Sequence, residues 1–187
     1  MATEMRCGAT IWMTGLCQSG KSTLAAAISE EWTRRGMVHE VIDGDMVRDL
    51  APMGFDGKSI AAHLTRVALA AGLLNRHGVS AVVPVIAPLE RVRRHCCQIV
   101  QEIGGVFRLV WVNTPHDQCA RQDTKGLWEL ARAAMLGGTG GIGLAGYDAP
   151  FDEPDEDYWG EQLTILGWPR DPVWATWIVD DAEGMRS

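Results

Sequence analysis

Long apolar runs are missing from this chain. Its N-terminal stretch, MATEMRCGATIWMTG, is broken by Glu4, so neither a signal peptide nor a membrane span is expected. Paired cysteines are missing too. The five cysteines (Cys7, Cys17, Cys96, Cys97 and Cys119) are odd in number and include no C-x-x-C pair. That argues against a disulfide framework or a zinc site and for reduced thiols in a cytoplasmic protein. A basic surplus is also lacking, since the formal charge is −7. A nucleic-acid polymer needs a basic face and is an unsuitable partner, whereas a small phosphorylated ligand needs only a few placed cations and N–H groups. His39, His77, His95 and His116 make no metal-binding spacing and are expected in solvent. No internal repeat is present.

What is present suits one globular domain. With 187 residues, 47% hydrophobic and 22% charged, the chain can bury a full core as a single unit over 1–187. ATIWMT (Ala9–Thr14), VHEVID (Val38–Asp43), VSAVVPVIA (Val79–Ala87) and VFRLVWVN (Val106–Asn113) read as buried strands. Between them, Ser22–Arg35 places Leu24, Ile28 and Trp32 at intervals of four, an amphipathic helix ended by Gly36. Ile60–His77 and Leu89–Ile103 read as two more, the last with ERVRRH on its wet face. Strand–helix alternation predicts an α/β fold, a parallel sheet with helices on both sides. The loops after Thr14, Asp43, Ile86 and Asn113 should then converge at the carboxyl edge, where such sheets bind ligands. From Leu136 to Pro154 the chain is first glycine-rich and then acidic and proline-broken, the composition of a mobile loop. VWATWIVDD is expected to form a last strand, with Trp168, Trp174 and Trp177 as packing residues.

The strongest motif is TGLCQSGKST, Thr14 to Thr23. Gly15 to Ser22 satisfies G-x-x-x-x-G-K-[ST], with a strand before it and a helix after it. Glycines let successive N–H groups curl inward, and the helix that follows presents its positive end to an anion. Lys21 supplies a cation for the β- and γ-phosphates, and Ser22 a hydroxyl for Mg²⁺. Gly15, Cys17, Gln18, Ser19, Gly20, Lys21, Ser22 and Thr23 are therefore the candidate ATP-binding residues. Two readings stand for Cys17: a thiol whose pKa the cationic loop lowers, or a small residue that merely fits.

On the acceptor side, VIDGDMVRDL sets Asp43 and Asp45 two apart, with Arg48 one helical turn beyond. A carboxylate beside the γ-phosphate can orient an acceptor hydroxyl and take its proton; a polar turn with a helix cap is the competing reading. A switch-type NTPase is disfavoured, because N-K-x-D is absent and VVPVIAP ends without an acid.

These residues carry a resemblance. IWMTGLCQSGKSTLA, VIDGDMVR, the following MGF, KGLWELARA (Lys125–Ala133) and YDAP (Tyr147–Pro150) resemble adenylylsulfate (APS) kinase in order and spacing, over about Ala9 to Pro154. The resemblance implies a P-loop kinase, usually dimeric, with a lid over about 121–154. It implies transfer of the ATP γ-phosphate, with Mg²⁺, to the ribose 3′-hydroxyl of APS. By position Asp45 resembles the base and Asp43 its companion. Arg48, Phe55 and Arg66 resemble acceptor-binding residues, and Lys125 the lysine at the base of the lid. The acceptor side departs from the family pattern. Ile60 stands for an arginine and His63 for an asparagine; the F-I-S-P segment reads VIAP, with Ile86 at the acceptor and Ala87 in place of serine. Gly138 falls where an adenine-stacking aromatic is expected, and Gln122 replaces an arginine beside Arg121. The donor half is intact and the acceptor half rewritten, so APS or another nucleotide conjugate is the implied acceptor; a kinase of another small hydroxylated or phosphorylated metabolite, or a non-catalytic nucleotide-binding module, is the alternative. Two readings stand for His63, a substrate hydrogen-bonder or a solvent-facing helix residue.

Overall fold

The computed structural model describes residues 7–44, 56–138, 140–167 and 173–184. Its strands are β1 (Ala9–Thr14), β2 (His39–Val41), β3 (Ser80–Pro84), β4 (Val106–Val112) and β5 (Leu163–Leu166). They form one sheet in the order β2-β3-β1-β4-β5, with every pairing parallel. β1 lies at the centre and is buried at every position, which is why its sequence lacks a polar alternation. Its side chains alternate between the two faces. Trp12 joins a core with Leu64, Val67, Val100, Phe107 and Trp159, while Ile11 and Met13 join the opposite one with Ile28, Trp32 and Ile178. Each such side chain contributes roughly 1.5–3 kcal/mol through burial. The sheet is thus gripped from both sides, and its carboxyl edge is left for the loops.

Helix α1 (Lys21–Arg34) buries Leu24, Ile28 and Trp32, the spacing expected, and the chain leaves it through Gly36 at φ 70. Helix α2 (Gly57–Arg76) starts earlier than its apolar periodicity indicates, because Asp56 caps it by accepting from the amides of Lys58 and Ser59. Helices α3 (Glu90–Ile103), α4 (His116–Arg121), α5 (Leu127–Leu136), α6 (Glu156–Trp159) and α7 (Trp174–Gly184) follow.

Several expectations are overturned. VWATWIVDD is not a strand but the body of α7, burying Ala175, Ile178, Val179 and Ala182. That helical spacing prevails over the β-branched content. The last strand is β5, LTIL, whose four residues carry too short a pattern to stand out. Trp177 is 53% exposed rather than packed, and Trp174 is half-buried; Trp168 lies outside the described residues. ERVRRH is not a wet face, because Arg93 within it is fully buried. His39 is half-buried rather than in solvent, with its ring 2.8 Å from Ser29 Oγ, whereas His77, His95 and His116 are exposed as expected. The glycine-rich stretch begins as the end of α5 and then forms a turn. There the Asp148 carboxylate accepts from the amides of Ile142, at 2.6 Å, and Leu144.

Candidate active site

The loop after β1 closes around its own lysine. Gly15 takes φ 144, and a Cβ there would meet the Val112 carbonyl oxygen at 2.6 Å, so only glycine fits. Lys21 is 7% exposed. Its Nζ donates to the carbonyls of Gly15 (3.0 Å) and Leu16 (2.7 Å) and to Ser19 Oγ (3.2 Å), which holds the ammonium inside the curl. Gly20, at φ 87, leads into α1 without a side-chain cap, the arrangement in which an anion can cap a helix. Ser22 and Thr23 are exposed in the first helical turn.

The predicted convergence of loops is present. Thr14 Oγ1 donates to the carbonyls of Ile86 (2.7 Å) and Ala87 (3.2 Å), tying the P-loop entrance to the turn after β3. Thr114, after β4, donates to the Ser19 carbonyl at 2.8 Å. After β2, Asp43 lines one cleft of about 380 Å³ with Ser22, Ser29 and Glu30. A hydroxyl and a carboxylate in one cleft are the hard oxygen ligands that suit Mg²⁺. No cluster of three or more potential metal-ligating His, Cys, Asp or Glu side chains occurs among the described residues.

Burial pushes the Cys17 thiol up from its ordinary value, against the opposing pull of Lys21 and Lys125. The reading of Cys17 as a residue that merely fits is therefore the one supported. Lys125 is exposed on the turn before α5. Asp123 anchors that turn, accepting from the amides of Leu127, Trp128 and Glu129. Two further bonds dock α5 and the turn before it on the loop: Trp128 Nε1 to the Cys17 carbonyl (3.3 Å) and Gln18 Nε2 to Thr124 Oγ1 (3.2 Å). Gln122 is half-buried, and Arg121 is exposed and paired with Asp117 at 3.4 Å.

Among acceptor-side candidates, Asp45, Arg48 and Phe55 lie outside the described residues. His63 is 5% exposed, which excludes the solvent-facing reading. A Cβ on Gly44 would come 3.5 Å from His63 Nε2 and 2.9 Å from Val85 Cγ1. His63 therefore lies behind Gly44, reached from α2. Ile60, one turn earlier, is turned partly into the core, while Arg66 is exposed. Ile86 is half-buried against the cluster of Cys17, Cys119, Trp128 and Leu144. Gly138 is exposed just beyond α5 at φ 68.

Sequence reasoning passed over Thr14, Thr114 and Arg93. Thr14 and Thr114 each close or follow a predicted strand, and a β-branched hydroxyl beside a phosphate loop was the available signal. Arg93 had none, since a charge in ERVRRH matches any wet helix.

Comparison with known proteins follows the same lines. The adenylylsulphate kinase family profile matches residues 7–157. An adenylyl-sulfate kinase of a Synechococcus species is 35% identical over 153 residues, covering 81% of this chain and 82% of that protein. One from a Picosynechococcus species is 35% identical over 149 residues, 79% of each chain. The structure of the Mycobacterium tuberculosis APS kinase CysC in complex with AMPPNP and APS superposes with a TM-score of 0.84. It is 32% identical, over 95% of this chain and 98% of that one. With the lysine-filled loop, α5 docked on it and the shared Ser22–Asp43 cleft, these matches extend far beyond a generic P-loop, and the chain belongs to the adenylylsulphate kinase family.

Proposed function

We propose that this kinase transfers the γ-phosphate of ATP to the ribose 3′-hydroxyl of APS or a closely related nucleotide conjugate. The observation that carries the reading is the placement of Lys21 inside its loop at the sheet edge where Ser22 and Asp43 share a cleft. Lys21 compensates charge on the β- and γ-phosphates, and the N-terminus of α1 adds its positive end. Ser22, with Asp43 beside it, would hold Mg²⁺, which supplies charge neutralisation on the phosphate oxygens when bound. Asp45 orients the acceptor hydroxyl and accepts its proton as the new P–O bond forms and the bond to ADP breaks. An aspartate suffices because, in a loose transition state, positioning matters more than basicity. Lys125 enters from the lid beside the transferred phosphate, and the docked lid excludes water. Arg48, Phe55, His63, Arg66 and Ile86 border the acceptor.

A cytoplasmic homodimer is the setting we infer. The five free cysteines support the first part. Leu69 and Leu73, exposed one turn apart on α2, support the second. No helix among the described residues is long and apolar enough to cross a membrane. Sedimentation equilibrium tests the assembly. An ADP-release assay with ATP, Mg²⁺ and APS tests the activity; absence of acceptor-dependent ADP release overturns the reading.

A further inference from the structure

Arg93 is a cation with no exposure at all, on a helix face otherwise made of Val92, Cys96, Cys97 and Val100. Burying a charge costs several kcal/mol unless its donors are matched. Here they are matched by three separate segments. Nε and Nη2 donate to Glu90 Oε2 at 2.9 and 2.5 Å, within α3. Nη1 donates to the Ala87 carbonyl at 2.8 Å, and Nη2 to the Asp152 carbonyl at 2.6 Å. Asp152 returns the stitch: its amide donates to the Pro88 carbonyl at 2.8 Å, and its carboxylate accepts from the Glu90 amide at 2.9 Å. A planar fork can meet a carboxylate and two carbonyls at once; a lysine ammonium cannot hold that geometry.

The turn so held is strained. Ala87 takes φ 42, a left-handed conformation shared by only one other non-glycine among the described residues, Gln18. For a residue with a Cβ this costs about 1–2 kcal/mol. The Ala87 carbonyl is bracketed by Arg93 on one side and Thr14 Oγ1 on the other. The adjacent Ile86 carbonyl receives Thr14 Oγ1 and, at 3.4 Å, the Gly15 amide. One short turn thus joins the P-loop entrance, the acceptor side and the segment around Asp152.

We propose that Arg93 is a positioning residue for phosphoryl transfer. It holds the Ile86–Ala87 turn in its left-handed form and couples that turn to the segment around Asp152, so that the acceptor meets a preformed wall. The proposal rests on the reading above that Ile86 borders the acceptor. A purely structural role is the alternative, and an apolar residue would fill that role at less cost.

The test is steady-state kinetics with APS and ATP varied separately, alongside thermal denaturation. Arg93→Lys should raise KM for APS at least fivefold while KM for ATP stays within twofold. Ala87→Gly should rescue it, since glycine takes the left-handed conformation without a clamp. The double variant should recover most of the APS affinity without recovering Tm. Equal rises in both KM values, or no rescue by Ala87→Gly, would overturn the proposal. Should Arg93→Lys not fold, Glu90→Gln, which weakens the fork but leaves Arg93 in place, is subject to the same criteria. Ile86→Ala separates the two readings. If it leaves KM for APS unchanged, Ile86 does not border the acceptor, and the proposal falls with that reading. If it raises that KM while Arg93→Lys does not, only the proposal fails.

Discussion

Trp128 Nε1 donates to the Cys17 carbonyl oxygen across 3.3 Å, fastening α5 to the phosphate loop through a buried bond. The indole also packs edge-on against His116, at 4.4 Å between ring centres, so its orientation is fixed from two sides. Trp128→Phe keeps the ring and removes the donor. A hydrogen bond of about 1 kcal/mol corresponds to a roughly fivefold rise in KM for ATP. The same variant should speed labelling of Cys17 by a thiol reagent. An unchanged KM and labelling rate would show that the lid does not depend on this bond.

Lys21→Ala should abolish phosphoryl transfer and leave the fold in place. The loop keeps its backbone course through Gly15 and Gly20, whereas the only lysine within the cradle is lost. Circular dichroism and ADP release measured on the same sample check both halves. Near-normal turnover would mean that the loop is not the catalytic cradle.

Asp45→Asn should keep ATP binding and lower kcat by roughly 10²-fold, the lower end of what a positioned base contributes. Asp43→Asn should cost less and raise the Mg²⁺ concentration needed for half-maximal rate, because Asp43 shares its cleft with Ser22. Equal losses at saturating Mg²⁺ would contradict this division of roles.

Stability should fall on the alkaline side. Burial pushes the thiols of Cys96 and Cys97 up to about 12 and raises that of Cys17. The unfolded chain releases these protons above about pH 8.5, while the folded chain retains them until its own higher values are reached. The folded state thus binds more protons in that window. Stability is fully present below it and declines by roughly 1.4 kcal/mol per pH unit for each thiol above it. Urea denaturation between pH 7 and pH 10 reads the slope. A Cys96→Ala, Cys97→Ala double variant should flatten it, and an equal slope in that variant would assign the effect elsewhere.

The donor half of the site was legible because each residue there answers to a local rule. Gly15 and Gly20 meet a backbone demand, Lys21 a charge demand, and both lie within one contiguous motif. The sheet was legible for the same reason: β1, β3 and β4 are apolar runs of ordinary length, and the short β2, HEV, lies within VHEVID. What failed was long-range or weakly periodic. LTIL is four residues long, and its place beside β4 is set by packing. VWATWIVDD reads as a strand by composition, but α1 and β1 offer it a helical seat, which Ala175, Ile178 and Ala182 fill. Arg93 looked solvated because one carbonyl partner, Asp152, lies far along the chain and the other, Ala87, is presented only by the left-handed turn before α3.

Acceptor preference follows from the rewritten side of the pocket. Ile60 is packed partly into the core, where the family pattern has an arginine, so one charge-assisted contact to an anionic acceptor is withdrawn. Gly138 is exposed and offers no ring on which an adenine could stack. A charge-assisted hydrogen bond contributes about 1.5–3 kcal/mol, and stacking on an aromatic about 1–3 kcal/mol. Losing both weakens APS by two or more powers of ten, except where His63, Arg66 or Trp128 compensates. His63 is placed to do so, since its ring lies against Gly44, next to Asp43 in the chain. We therefore expect measurable turnover of APS with a high KM, and His63→Ala should raise that KM further without changing KM for ATP. Restoring the arginine by Ile60→Arg should lower KM for APS at least tenfold. The comparison set is APS with cytidine-, uridine- and guanosine-diphosphate conjugates, with the new phosphate located by phosphorus NMR. If unaltered protein turns over APS as efficiently as the Ile60→Arg variant and ignores the other conjugates, the substitutions have no bearing on choice of acceptor. If a different conjugate is preferred over APS by kcat/KM, the acceptor half has been rewritten for that molecule.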